Sequence, residues 1–160
     1  MKMAWMTDIH LNFIDLTTRQ KFYQEIIDSK CNSVLLSGDI AEAPSIKNIL
    51  QELAIFIKKP IYFVLGNHDY YRGQVDEVRI EMTALTESNE YLFWLPYFSS
   101  KASGDVLMNI CTKHPNIDFL VLCGHTHGKA IYHPFPNLIV EAGHAEYKNP
   151  EIQNSKELSI

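Results

Sequence analysis

Four apolar runs in this chain each break off into a short set of side chains that a packed core has no use for. Ile61-Tyr62-Phe63-Val64 leads into Leu65-Gly66-Asn67-His68-Asp69. The run that starts near residue 2 ends at Thr7-Asp8-Ile9-His10, Val34-Leu35-Leu36 ends at Ser37-Gly38-Asp39, and Leu120-Val121-Leu122-Cys123 ends at Gly124-His125-Thr126-His127. Short apolar runs bounded by turn residues read as buried strands. Amides, imidazoles and carboxylates at their ends therefore need a reason other than packing.

Helical patterns alternate with these strands. Residues 16–28 carry Phe22, Tyr23, Ile26 and Ile27 on one face, with Thr17 and Gln20 matching a capping box. Pro44-Ser45 opens a second helix with Ile46, Ile49, Leu50, Leu53 and Ile57 inward, stopped by Pro60. A third is expected over 75–88 (Val75, Val78, Met82, Leu85), and a fourth over 103–113, capped by Ser103, with Val106, Leu107, Ile110 and Cys111 inward. Strands are expected at 2–6, 33–37, 61–65, 91–95 and 118–123. Residues 130–132 and 138–140 should pair as an antiparallel hairpin around His133-Pro134-Phe135-Pro136-Asn137. The aromatic run Tyr91, Phe93, Trp94 and Tyr97 reads as core or edge packing. This alternation predicts one α/β layered domain with a mainly parallel sheet over 1–147, then a polar tail, 148–160, that frays. In such sheets ligands bind at the carboxyl ends of the strands, and all four motifs fall there.

In Asp8-x-His10 and His125-x-His127 the polar residues are two apart, so extended backbone turns both toward one ion. Asp39 adds a carboxylate able to bridge two cations, and Asn67 a neutral oxygen. Imidazole and carboxylate without thiolate suit Mn, Fe, Zn or Ni. Two such ions acidify a bound water and clamp an in-line displacement at phosphorus.

Composition narrows the setting. A net charge of −5 and the lack of any Lys/Arg run argue against a nucleic-acid partner. Cys31, Cys111 and Cys123 are too few and too scattered for a disulfide framework. No signal-peptide core precedes the first motif, and no apolar run approaches the roughly 18 residues a membrane span needs. A reducing, cytoplasmic setting without a membrane partner is the expectation.

The motifs and their order resemble the calcineurin-like metallophosphoesterase superfamily: D-x-H at Asp8-Ile9-His10, G-D at Gly38-Asp39, G-N-H-[DE] at Gly66-Asn67-His68-Asp69 and G-H-x-H at Gly124-His125-Thr126-His127. The resemblance covers roughly 1–72 and 103–145. It implies an α-β-β-α sandwich. It also implies one or two divalent metal ions and hydrolysis of a phosphomonoester or phosphodiester substrate by a metal-bound hydroxide. By position, Asp8, His10 and His127 would hold the first metal, Asp39 would bridge both, and Asn67 and His125 would hold the second. His68 would be the general acid, since imidazole titrates near neutrality. Asp69 reads as a structural partner. Glu42 reads as a solvated or helix-start charge. Tyr70, Tyr71 and Arg72 read equally as substrate contacts or as cover for the rim.

One family element is missing. The lone His expected between the third and fourth motifs has no counterpart. His114 is followed by Pro115 but sits at the end of a helical pattern with no strand before it. The expectation is an internally shortened member, incomplete in its second half, that binds the first metal well and the second poorly unless His133, His144 or water substitutes. The competing reading is a catalytically impaired metal-binding or interaction module on the same fold. Left exposed by such shortening, the aromatic run of residues 91–97 would favour a dimer.

Overall fold

The computed structural model describes residues 1–95 and 101–157. Pro96 and Tyr97, at the end of the aromatic run, lie outside the described residues. The elements follow the chain as β1 (Lys2–Met6), α1 (Leu16–Asp28), β2 (Ser33–Ser37), α2 (Ala43–Ile57), β3 (Ile61–Val64), α3 (Val75–Glu87), β4 (Leu92–Trp94), α4 (Lys101–Lys113), β5 (Phe119–Cys123), β6 (Ala130–Phe135), β7 (Leu138–Ala142) and β8 (Asn154–Glu157). Single turns of 3-10 helix follow β1 and β3, at Leu11–Phe13 and His68–Tyr70.

Two sheets result. The first has the order β4-β3-β2-β1-β8, and the second β5-β7-β6. β1 to β4 pair in parallel, and β8 closes the edge of β1 in the antiparallel sense. In the second sheet β5 runs parallel to β7, while β6 and β7 form the expected hairpin with an irregularity between Tyr132 and Phe135. The layered α/β domain expected from the alternating pattern is present, and its two sheets give the sandwich that the resemblance implies.

The core explains which elements are firm. Its contiguous cluster of buried apolar residues runs from Ala4 through Phe22, Leu36, Leu50, Phe63 and Met82 to Leu92. α2 contributes one full stripe, with Ile46, Leu50, Leu53 and Ala54 wholly buried. α1 and α2 are joined by the two-pronged Arg19–Glu52 pair at 3.0 and 2.9 Å. Among the described residues, the second sheet adds nothing to this cluster. Leu120, Ile131, Tyr132 and Ile139 are all exposed there.

Several local expectations are corrected. The cap of α1 is Asp15, whose Oδ1 accepts from the Thr18 N–H at 2.7 Å, so the helix starts ahead of the Thr17–Gln20 box. α2 ends when Lys58 turns left-handed at φ 52°, before Pro60 can act. In α3 the apolar stripe reaches the core only from Val78 on, and Val75, at the first helical position, stays exposed. α4 begins at Lys101, ahead of Ser103. It buries Cys111 and half-buries Leu107, one turn apart, leaving Val106 and Ile110 exposed about 100° around the axis. The largest change is at the carboxyl end: within the stretch expected to fray, β8 pairs with β1 from Lys2↔Glu157 to Trp5↔Asn154. β1 would otherwise present an open row of backbone donors and acceptors, and a polar strand satisfies them as well as an apolar one. Lys156 of β8 also pairs with Glu141 of β7, linking the two sheets.

Candidate metal centre

The strand ends converge through their backbones. The Asp8 N–H donates to the Gly38 carbonyl and the His10 N–H to the Asp39 carbonyl, both at 3.0 Å. The His68 N–H donates to Asp39 Oδ1, and the His125 N–H to Asp8 Oδ2, both at 2.9 Å. Each motif is therefore pinned by the next. The pairs two apart do not converge along extended backbone as expected: Asp8, His10, Asp39, His125 and His127 all adopt positive φ, from 41° to 82°. Non-glycine residues rarely do so, and such conformations gather at functional sites.

His10, Asp39 and His127 each place a potential ligand atom within 4.8 Å of the others. His10 is 1% exposed, yet neither of its ring nitrogens has a hydrogen-bond partner, and the buried Nδ1 of His68 lacks one too. Buried polar nitrogens left unpaired are costly. A divalent cation shared with Asp39 and His127 fits as the missing partner of one His10 nitrogen, since neutral imidazole and carboxylate are its donors. Asp8 lies beside this group, its Oδ2 also accepting from Thr7 Oγ1 at 2.9 Å. Asn67 Oδ1 and His125 Nδ1 meet at 3.1 Å on the more exposed side. The His68 ring lies 4.7 Å from that of His10. All seven residues expected from the motifs thus come to one rim. A cleft of about 520 Å³ opens on the Asn67–His125 flank, walled by Asp8, Asp39, Asn67 and His125 and backed by Val64 and Val121, and its lining does not include His10, His68 or His127. That is ample for a small ester. A larger hollow of about 770 Å³, by Tyr62, Phe93 and Trp94, holds none of these side chains.

Other residues fall elsewhere. His114 ends α4, its carbonyl accepting from Asn137 Nδ2, in keeping with the helix-end setting of its sequence. His144 Nδ1 pairs with Glu151 at 2.9 Å, and His133 lies exposed on β6. Glu42 precedes α2 and pairs with Arg72 at 3.3 Å. Phe93 stacks on Tyr62 at 5.1 Å along the edge of the first sheet. Asp69 is wholly buried and caps three backbone donors at 2.8 Å: Ile40 and Ala41 on Oδ1, Gly66 on Oδ2. It ties the Asp39 and Asn67 loops together through these bonds. Thr7, Phe13 and Tyr147 have no role in a reading of the sequence alone. Thr7 carries a hint in its place next to Asp8, whereas Tyr147 is near the histidines only in three dimensions.

Burial governs the electrostatics. It lowers the His10 pKa to about 4, helped by His68 and His127 and opposed by Asp8. It raises the Asp39 carboxyl, against the His68 N–H, with Asp8 adding to the rise. It pushes Asp69 up to about 8, against its three N–H donors. For His10 the sign is definite. The unfolded chain binds a proton near pH 6.5 that the folded, metal-free protein refuses until about 4. This stability is complete above pH 6.5 and lost as pH falls toward 4, by roughly 3 kcal/mol at most. The raised Asp39 and Asp69 carboxyls act in the opposite sense, so the His10 share is read by difference: the urea midpoint of metal-free wild type should fall relative to that of His10→Asn across that window. Equal slopes in the two proteins would sink the assignment.

Gly124 gives a second test. A Cβ there would lie 1.9 Å from Thr7 Oγ1 and 2.0 Å from Asp8 Oδ2. Gly124→Ala must displace Asp8 or the His125–His127 loop. Cation affinity by calorimetry is expected to fall at least tenfold while the first sheet persists by circular dichroism. Wild-type affinity in this variant would refute the close packing.

An α/β sandwich with a histidine–aspartate cluster at its strand ends defines the metallophosphoesterase class. The chain belongs to the calcineurin-like phosphoesterase family, which its residues 1–108 match. The matched segment includes the first three motifs, and the fourth lies beyond it. The fold is similar to Vps29 of Chaetomium thermophilum (13% identity, 90% of this chain and 69% of that one, TM-score 0.49). It is similar also to a single mutant of Vps29 from Entamoeba histolytica (16%, 91% and 74%, 0.46). A third similar structure is TT1561 of Thermus thermophilus (12%, 89% and 88%, 0.48). Among curated proteins none matches. No helix among the described residues is long and apolar enough to cross a membrane.

Proposed function

We propose that this protein hydrolyses a phosphomonoester or phosphodiester with divalent cations held at the rim. Asp8, His10, Asp39 and His127 would hold the first, and Asp39, Asn67 and His125 the second. The observation that carries the reading is the unpaired, buried His10 ring beside Asp39, His127 and His68. When bound, the cations neutralise phosphoryl charge and acidify a water. The chain's own part is positioning and proton transfer. Asp39 fixes the His68 backbone at 2.9 Å, which steadies an imidazole suited to protonate the leaving oxygen. Three cysteines without a disulfide fit a reducing compartment.

A second reading has its own support. No lone histidine completes the Asn67–His125 side among the described residues: His114 ends a helix and His144 is engaged by Glu151. This favours one tight cation and one weak one in a shortened family member, with turnover reduced accordingly. Metal titration together with assays on p-nitrophenyl phosphate and its bis ester decides between them. Cation-dependent turnover, abolished by chelator and lowered about 100-fold or more by His68→Ala, supports hydrolysis. One bound ion and no turnover with any of Mn, Fe, Zn or Ni supports the binding module.

A further inference from the structure

Three aromatic side chains from separate parts of the chain meet at the mouth of the metal centre. Phe13, Tyr71 and Tyr147 remain 40%, 46% and 49% exposed. Their surroundings are the site histidines: Tyr147 lies 4.6 Å from the His10 ring and 5.3 Å from that of His127. Phe13 meets Tyr147 edge to face at 5.6 Å, and Tyr71 lies 4.4 Å from His68.

The Tyr71 ring is tied by its hydroxyl, and the backbone near the other two rings is anchored. The Phe13 N–H donates to the His10 carbonyl at 3.1 Å, and Tyr71 Oη accepts from Asn67 Nδ2 at 2.9 Å. The loop bearing Tyr147 is anchored upstream, where the Gly143 N–H donates to Cys123 O at 2.9 Å and the His144 N–H to Gln153 Oε1 at 2.7 Å. Half-exposed aromatic faces packed against one another and against the site histidines present ready surface to a ligand. They stack on any flat π system, because such contact is tolerant of the ring's identity.

Resting on the phosphoesterase reading above, we propose that Phe13, Tyr71 and Tyr147 form a stacking wall that selects esters whose alcohol portion carries a flat unsaturated ring. An aryl alcohol and a nucleoside share that chemistry. The phosphate would lie by His10, Asp39, His127 and His68, with the ring laid against Tyr147 and Phe13. The acidic balance of the chain disfavours a long polyanion and leaves a small ring-bearing ester as the better fit.

Calorimetric binding to the full chain with Mn compares phenyl with ethyl phosphate, and uridine monophosphate with ribose 5-phosphate. Ring-bearing ligands are expected to bind about tenfold or more tightly than their ring-free counterparts. The first pair reports an aryl ring and the second a nucleobase. Phe13→Ala with Tyr147→Ala should bring both ratios to within about twofold of one, whereas Tyr147→Phe should keep them. Equal binding of both members of each pair by the wild type, or a preference that survives the double variant, overturns the stacking wall alone, since phosphate esters still bind. If neither inorganic phosphate nor any ester binds, the phosphoesterase reading falls with it.

Discussion

Replacing Asp69 with alanine is expected to lower the melting temperature of the metal-free protein by roughly 10 °C or more. Burial raises the Asp69 carboxyl as it does that of Asp39, but this side chain satisfies three backbone N–H groups from two loops, and their loss outweighs the relief. Alanine removes the acceptor and strands those donors away from water, each at about 1–3 kcal/mol, so a combined loss of about 3–5 kcal/mol is reasonable. In a domain of this size, each kcal/mol moves the midpoint by about 2–4 °C. The loops it joins carry Asp39 and Asn67, so cation affinity should fall in parallel. Differential scanning calorimetry with chelator reads the first effect and metal titration the second. An unchanged melting temperature would show that the loops do not depend on this cap.

The opposite pattern is expected at Asp39. Asparagine preserves its shape and an oxygen for the His68 N–H, but removes the negative charge. Burial and the neighbouring Asp8 both penalise that charge, so the metal-free variant should melt at or above the wild-type temperature. Cation affinity should fall at least 100-fold, since the loss of mere outer-shell partners already costs about 10–100-fold. Turnover should be lost with it. Stability and metal binding moving apart in Asp39→Asn, and together in Asp69→Ala, would separate a ligand from a structural residue. A thermally weakened Asp39→Asn protein that still binds Mn tightly would reverse the assignment.

These two aspartates show what a sequence can carry. Motif position alone sets different expectations for Asp39 and Asp69, and the two variants test them. The strands and α2 are readable because their burial writes itself into apolar spacing. β8 is not, because Asn154-Ser155-Lys156-Glu157 gains its place from backbone pairing with β1, and backbone groups are the same in every residue. The inward face of α4 is narrower than its spacing predicts and is centred about half a step further around the axis, on Leu107 and Cys111. Phe13 and Tyr147 cannot be placed at the mouth from sequence because the chain between them is long and only the fold closes it.

The uneven distribution of the core has a mechanical meaning. Residues 4–92 supply the contiguous apolar cluster, and the ties of the second sheet to the first include His125 N–H to Asp8 and Lys156 to Glu141. Of the three side chains best placed to share a cation, His10 and Asp39 belong to the well-packed half and His127 to the thin one. An ion gripping all three would therefore act as a rivet between two plates of unequal stiffness. Loading it would quiet the outer plate far more than the inner one, so that ordering of the second sheet, and not only chemistry, would become a function of metal supply.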